Sequence, residues 1–209
     1  YQQVPTLDMG NEMITEVKFK KGYSYLVKKK YKQAESLFKQ VKDIQGEYYH
    51  PSNYYYGVTA FQRDDFKTAI ESFERVKNSN KYSRDVPYYI CQIAFAEKDY
   101  DKVISYGLTQ AQDTRVKKRR EINKLVGQAY FERKDYKSAL PYLQEFTDNS
   151  SKLREEDLYQ VAYTQYQNKK YLAAIRNFEE LTGLKNKIGQ NALYNLADCQ
   201  LKVGDKLSA

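Results

Sequence analysis

The side chains able to do covalent or metal chemistry are few: two cysteines, Cys91 and Cys199, and one histidine, His50. A structural zinc site takes four Cys or His ligands, and a catalytic one takes three with an open position. A nucleophile, in turn, needs a base held beside it. The 27 Asp and Glu residues leave an acid–base pair open by counting alone, but the chain has no glycine-rich phosphate loop, no HExxH and no GxSxG. The sequence therefore predicts no catalytic residue, no metal site and no cofactor, and the protein is read as a non-enzyme. What it has in quantity is recognition chemistry: 22 tyrosines and 35 lysines and arginines. A tyrosine ring is amphipathic and suits a core or a partner surface. The stretch NYYYGVTAF at 53–61 puts the choice sharply. Tyr54, Tyr55 and Tyr56 are consecutive, and a helix cannot bury three consecutive side chains in one direction.

The elements that position these residues follow from composition and period. The chain has 209 residues, 41% of them hydrophobic, which is enough for a folded core rather than a disordered chain. Thirty per cent are charged, the mean hydropathy is −0.85, and no run approaches the ~18 apolar residues of a membrane span. Nine glycines and four prolines are too few for an all-β chain rich in turns. No secretory signal is visible. The sequence starts at Tyr1 and stops in mid-pattern at Ala209, so it is read as a piece of a longer protein.

The pattern is an internal repeat. KKKYKQAESLF (28–38), RDDFKTAIESF (63–73), KDYDKVISYG (98–107), RKDYKSALPYL (133–143) and KKYLAAIRNF (169–178) align on Tyr31, Phe66, Tyr100, Tyr136 and Tyr171. These anchors are 35, 34, 36 and 35 residues apart, and VGDKLSA places Lys206 in the same position 35 residues further on. Three residues after each anchor stand Ala34, Ala69, Val103, Ala139, Ala174 and Ala209. Seven after stand Phe38, Phe73, Gly107, Leu143 and Phe178. Offsets of 0, 3 and 7 share one helical face. Nine residues before each anchor the side chain is small: Gly22, Gly57, Cys91, Gly127, Ala162 and Ala197. A small residue there lets a second helix approach closely, which offsets a glycine's helix cost of ~1 kcal/mol. Each unit is therefore a pair of helices, with breaks near 30, 65, 99, 135 and 170 and eleven or so helices in all.

The pattern resembles the tetratricopeptide repeat. The family's Gly/Ala, Tyr, Ala and aromatic marks fall on Gly22, Tyr25, Ala34 and Phe38 in the first unit, and on Gly127, Tyr130, Ala139 and Leu143 in the fourth. The repeats run about 15–48, 50–83, 84–117, 120–153, 155–188 and a truncated 190–209, as one domain over 1–209. No Trp occupies the early first-helix place, and no proline closes each repeat. The resemblance implies an all-α fold, a right-handed superhelical solenoid of antiparallel helix pairs in which one repeat cannot bury its apolar face alone. It also implies that the first helix of each pair lines a concave groove. Cys91 and Cys199, three repeats apart, then lie beyond the ~7 Å limit for a disulfide and are expected to be packed thiols.

Within that frame Tyr56 falls on the core side with Ile90, Val126, Val161 and Leu196. Tyr54 points some 200° away, into the groove. The same place holds Phe19, Tyr88, Lys124, Tyr159 and Tyr194; one turn along come Tyr23 and Tyr163, while Tyr55 and Tyr89 sit at the edge. These ten residues are the candidate partner-binding groove. The expectation is that Tyr54, Tyr88, Tyr159 and Tyr194 are substantially exposed, with Lys124 a basic step between two aromatic stretches. The row Phe61, Phe95 and Phe131 is read instead as packing between units.

Net charge is +8, and most cations lie in turns. RVKKRR stands out because Arg115, Lys117, Lys118, Arg119 and Arg120 sit where a helix begins and cations oppose its dipole. The favoured function is a non-catalytic scaffold that binds a protein or peptide in the tyrosine-lined groove. The alternatives are an acidic or nucleic-acid partner on Arg115–Arg120, with tyrosines as stacking platforms, or the scaffold part of a larger enzyme. The protein partner is favoured over nucleic acid. The Lys/Asn clamp by which some tetratricopeptide domains hold a C-terminal carboxylate is absent. Phrases such as NALYNLADCQLKVGD look like bacterial tetratricopeptide proteins, including envelope assembly lipoproteins. That resemblance implies a periplasmic or outer-membrane-associated parent, with a cytoplasmic one open.

Overall fold

The computed structural model of the chain describes residues 10–150 and 152–204. Among them there is no strand, and the helices fall where the repeat places them. The chain divides into two compact units, one of Tyr1–Ile93 with Arg115–Lys117, the other of Ala94–Thr114 with Lys118–Ala209. The first contains α1 (Asn11–Val27), α2 (Tyr31–Val41), α3 (Tyr49–Phe61), α4 (Phe66–Glu74) and most of α5 (Val86–Ala96). The second contains α6 (Tyr100–Gln112), α7 (Arg119–Glu132), α8 (Tyr136–Asp148), α9 (Glu155–Gln167), α10 (Tyr171–Glu179) and α11 (Lys187–Val203). In the first, α1 packs on α2, α2 on α3 and α3 on α4; in the second, contacts run in sequence from α6 to α11. The start of a further pair expected at Lys206 and Ala209 lies outside the described residues.

Every anchor aromatic is the first residue of its pair's second helix, and the turn before it has one construction. Lys29, Asp64, Lys98, Lys134 and Lys169 take φ between 56° and 62°. A left-handed residue just past a helix lets the next two amides turn back onto its last carbonyls. In the first pair Lys29 N–H donates to Leu26 O and Lys30 N–H to Tyr25 O, each at 2.9 Å, and the same two bonds recur at 64–65, 98–99, 134–135 and 169–170. Three of the five turns then cap the following helix: Asp65, Asp99 and Asp135 accept from the backbone of Thr68, Lys102 and Ser138. The reversal takes three residues, four between α3 and α4, which brings the two helices of a pair side by side.

The small residues do what their place implies. A β-carbon built on Gly57 would lie 2.8 Å from Phe73 Cε1, one on Gly22 3.0 Å from Phe38 Cε1, and one on Gly127 2.9 Å from Tyr142 Cβ. Phe38 and Phe73 are fully buried in the first unit, as is Phe178 in the second. Cys91 and Cys199 are buried free thiols. Burial pushes the Cys91 thiol up to about 12, and burial with the nearby Asp198 carboxylate pushes Cys199 to about 11. Neither has thiolate character at neutral pH. Tyr56, Val126 and Val161 are buried as the core place requires, whereas Ile90 and Leu196 are half-buried. On α11, Leu193, Tyr194 and Leu201 are exposed.

Candidate functional site: the aromatic faces of the first helices

In the first unit the candidate residues come together on α1, α3 and α5. Tyr23 is 42% exposed and meets the Tyr55 ring edge-on at 4.9 Å. Phe19 is half-buried, 5.0 Å from the Tyr48 ring and 6.0 Å from that of Tyr55. Burial, then the neighbouring phenols of Tyr23 and Tyr82, pushes the Tyr55 hydroxyl up to about 12. Tyr55 therefore stays protonated beside Tyr23.

Tyr54 departs from expectation. It is half-buried, because the connection after α4 folds back and lays the Tyr82 ring 4.8 Å from it. The rings of Tyr55 at 5.1 Å and Phe73 at 6.2 Å close around it. Burial and the Tyr89 phenol raise its pKa above the usual tyrosine range. Tyr88 is likewise half-buried, with its ring 6.1 Å from Tyr89. Tyr89 stacks on Phe73 at 5.1 Å and meets Phe61 edge-on at 5.2 Å. That contact supports Phe61 as packing. The opening tyrosines thus sort differently from the sequence reading: Tyr56 is core, Tyr54 is a second core layer, and Tyr55 with Tyr23 reaches the surface.

In the second unit Tyr194 on α11 is 78% exposed, the most open large hydrophobic residue of the described chain. Tyr159 is half-buried rather than open, stacked on Tyr163 at 6.0 Å and tilted against Phe178 at 6.0 Å. Tyr163 meets Tyr136 edge-on at 5.6 Å. Polar bonds link neighbouring first helices: Gln128 Nε2 donates to Gln160 Oε1 at 2.9 Å, and the Tyr166 hydroxyl donates to Asp198 at 2.7 Å. The Asp198 hydrogen bond, followed by burial, pushes the Tyr166 hydroxyl up to about 12.

Lys124 is not the open basic step that the sequence suggested. Its Nζ lies 2.7 Å from the Asp157 carboxylate and 4.3 Å from the centre of the Phe146 ring. Asp157 is 5% exposed and also accepts from Nε and Nη2 of Arg154, at 3.1 and 3.0 Å. Burial opposes its ionisation, but the hydrogen bonds from Arg154 and Lys124 outweigh that and hold its pKa below the usual carboxylate range. The lysine is neutralised by its partner.

The basic run is partly committed too. Lys117 Nζ donates to Asp85 at 2.8 Å in the first unit. In the second, Arg120 donates to the Phe146 carbonyl at 3.0 Å and the Ser150 hydroxyl at 2.7 Å. Arg115, Lys118 and Arg119 are exposed. Two residues that shape the site escaped the sequence reading. Tyr82 stands eighteen residues before its anchor, Tyr100, as Tyr48 does before Phe66, and the two rings pack alike, Tyr48 on Phe19 at 5.0 Å and Tyr82 on Tyr54 at 4.8 Å. Asp157 carried a signal too: its place holds Val17, Ser52, Val86, Ile122 and Ala192 in the other repeats. A carboxylate at an otherwise apolar or small place needs a buried partner. Among the described residues no group of His, Cys, Asp and Glu could hold a metal, and no helix is long and apolar enough to cross a membrane.

No protein-family model matches the sequence, and no curated protein matches it. Among solved structures, the fold is similar to that of Pseudomonas aeruginosa PilF, with a TM-score of 0.66 at 17% identity over 96% of this chain and 89% of that one. It is also similar to yeast Tom70, with a TM-score of 0.59 at 15% identity over 91% of this chain. There it spans 40% of the Tom70 chain. Both neighbours contain tetratricopeptide repeats, and the likeness establishes an all-helical, tetratricopeptide-like fold.

Proposed function

We propose that this protein is a non-catalytic scaffold that holds a protein or peptide segment against the aromatic faces of its first helices. The observation that carries the reading is the exposure of Tyr194 at 78% and Tyr23 at 42% in a chain whose other tyrosines are mostly packed. Large amphipathic rings held open on a rigid helix are the residues that interfaces use as anchors. In the first unit the face is Tyr23 and Tyr55, backed by Phe19, Tyr54, Tyr88 and Tyr89. In the second it is Tyr194 with the edges of Tyr159 and Tyr163. Around these rings lie amides and hydroxyls that bond one first helix to the next, such as Gln128 to Gln160. They hold the faces rigid, which lowers the ordering cost of binding.

The test is selection of peptides from a random displayed library on the full chain, followed by affinity measurement of the enriched peptides. Tyr23→Ala and Tyr194→Ala should each weaken binding by more than ~1 kcal/mol, as loss of an anchor does. Enrichment of no peptide, or equal affinity in both variants, overturns the reading. Should binding survive both changes and vanish when Lys117, Lys118, Arg119 and Arg120 are reversed in charge, the basic run is the site. Steep salt dependence would then mark a polyanionic partner.

A further inference from the structure

The first unit carries a cleft away from the tyrosine row. It has a volume of about 470 Å³ and lies between the opening turns of α1, at Asn11–Glu16, and the connection Ile44–Tyr48 that leads into α3. Its apolar surface is Met13, 52% exposed, and Ile44, 44% exposed. Glu12, Glu16 and Glu47 also line it, and among the described residues no lysine or arginine does. Lys20 pairs with Glu16 from one turn further along α1. Tyr48 forms a wall, its ring packed 5.0 Å from Phe19. Burial raises the Tyr48 pKa, and the fields of Glu16 and Glu47 raise it further, so its hydroxyl stays a neutral donor among carboxylates.

We propose that this cleft docks a peptide segment of a partner protein in which a lysine or arginine stands beside an aliphatic side chain. The argument is complementarity of two kinds at one place. Met13 and Ile44 leave apolar surface in water that an aliphatic side chain covers. The carboxylates around them create a local negative field in a chain whose net charge is +8. The overall field repels a cationic partner, whereas a cation seated in this cleft meets attraction, which favours that register. An acidic segment would bring like charges together, and a purely apolar one would leave the carboxylates desolvated without a partner. The inference is independent of the tyrosine-face reading, since Tyr23 and Tyr194 do not line the cleft.

The probe is a fluorescein-labelled peptide of alternating arginine and leucine, titrated with the full chain by anisotropy. Two matched peptides replace arginine by glutamine or leucine by serine. The arginine–leucine peptide should bind at least roughly tenfold more tightly than either control, because each control removes one of the two complementary contacts. Glu12→Gln with Glu47→Gln should weaken it, and so should Met13→Ser with Ile44→Ser, while Tyr23→Ala and Tyr194→Ala leave it unchanged. If the arginine–serine peptide binds equally well, the attraction is diffuse charge and the proposal fails. Equal binding of the glutamine–leucine peptide, or indifference to the Glu12 and Glu47 changes, also overturns it. The peptide comparison uses the unaltered protein, so a poorly folding variant does not blunt the test.

Discussion

The ring of Phe73 on α4 closes over Gly57 on α3 so tightly that a single β-carbon at Gly57 would sit 2.8 Å from it. Phe73 cannot swing aside, because it is fully buried with Tyr54 and Tyr89 packed against its ring at 6.2 and 5.1 Å. Alanine gains up to ~1 kcal/mol of helix propensity over glycine, but overpacking costs typically ~1–3 kcal/mol. Gly57→Ala is expected to destabilise the chain by a net ~1–2 kcal/mol in urea unfolding. Gly183→Ala is the control, since nothing lies within 4 Å of a β-carbon there. It should be neutral or slightly stabilising.

Much of the fold was legible because the close approach of two helices needs a small residue at a fixed distance from an aromatic. Gly22, Gly57 and Gly127 reveal it with no long-range information, and each anchor aromatic then starts a helix where the period places it. The side-chain environment was less legible. Angular position correctly turned Tyr54 away from Tyr56, but it could not foresee a connection that folds Tyr82 onto the turned-away ring. Nor does a single repeat place reveal that Lys124 meets a carboxylate thirty-three residues on. Exposure is set by the connections and by neighbouring repeats, which a single repeat place does not show.

The five turns offer a matched experiment. Asp65, Asp99 and Asp135 cap their helices with a side-chain oxygen, whereas Lys30 and Lys170 occupy the same place without a side-chain cap. Lysine also puts a cation at the positive end of the helix dipole. Lys30→Asp and Lys170→Asp should each stabilise the protein by about 1 kcal/mol, the usual worth of an N-cap. Asp99→Ala should cost a similar amount. Thermal or urea unfolding decides it, and no gain at either lysine would show that backbone geometry alone sets these turns.

Asp157 gives a prediction in pH. Its folded pKa is depressed by Arg154 and Lys124 below the unfolded value of about 3.9. A depressed carboxylate contributes stability that is fully present above the unfolded pKa and is lost as pH falls through the folded one. Asp157→Asn should therefore cost about 3 kcal/mol at neutral pH, since Lys124 is left buried without its counter-charge. The gap to the unaltered protein should narrow below pH ~4. Asp157→Leu combined with Lys124→Met should recover part of the loss, because it removes both charges together. A gap that stays constant down to low pH would show that the carboxylate's charge contributes nothing.

Tyr54 and Tyr194 occupy the same repeat place, yet their surroundings assign them opposite roles. Tyr54 is enclosed by the rings of Tyr55, Phe73, Tyr82 and Tyr89. Tyr194 stands open on α11. Removing a large packed ring leaves a cavity, so Tyr54→Ala should lower stability by about 2–3 kcal/mol. Tyr194→Ala should move it by less than ~0.5 kcal/mol. Binding of a selected peptide should show the reverse order for Tyr194, an affinity loss above ~1 kcal/mol with the unfolding midpoint unmoved. At Tyr54 any loss of binding should track loss of fold, and Tyr54→Phe should restore most of both, since the ring does the packing. If Tyr194→Ala lowered stability as much as Tyr54→Ala, its ring would be a core residue. If it altered neither stability nor peptide affinity, its exposure would be incidental and the second unit's aromatic face would not be a binding face.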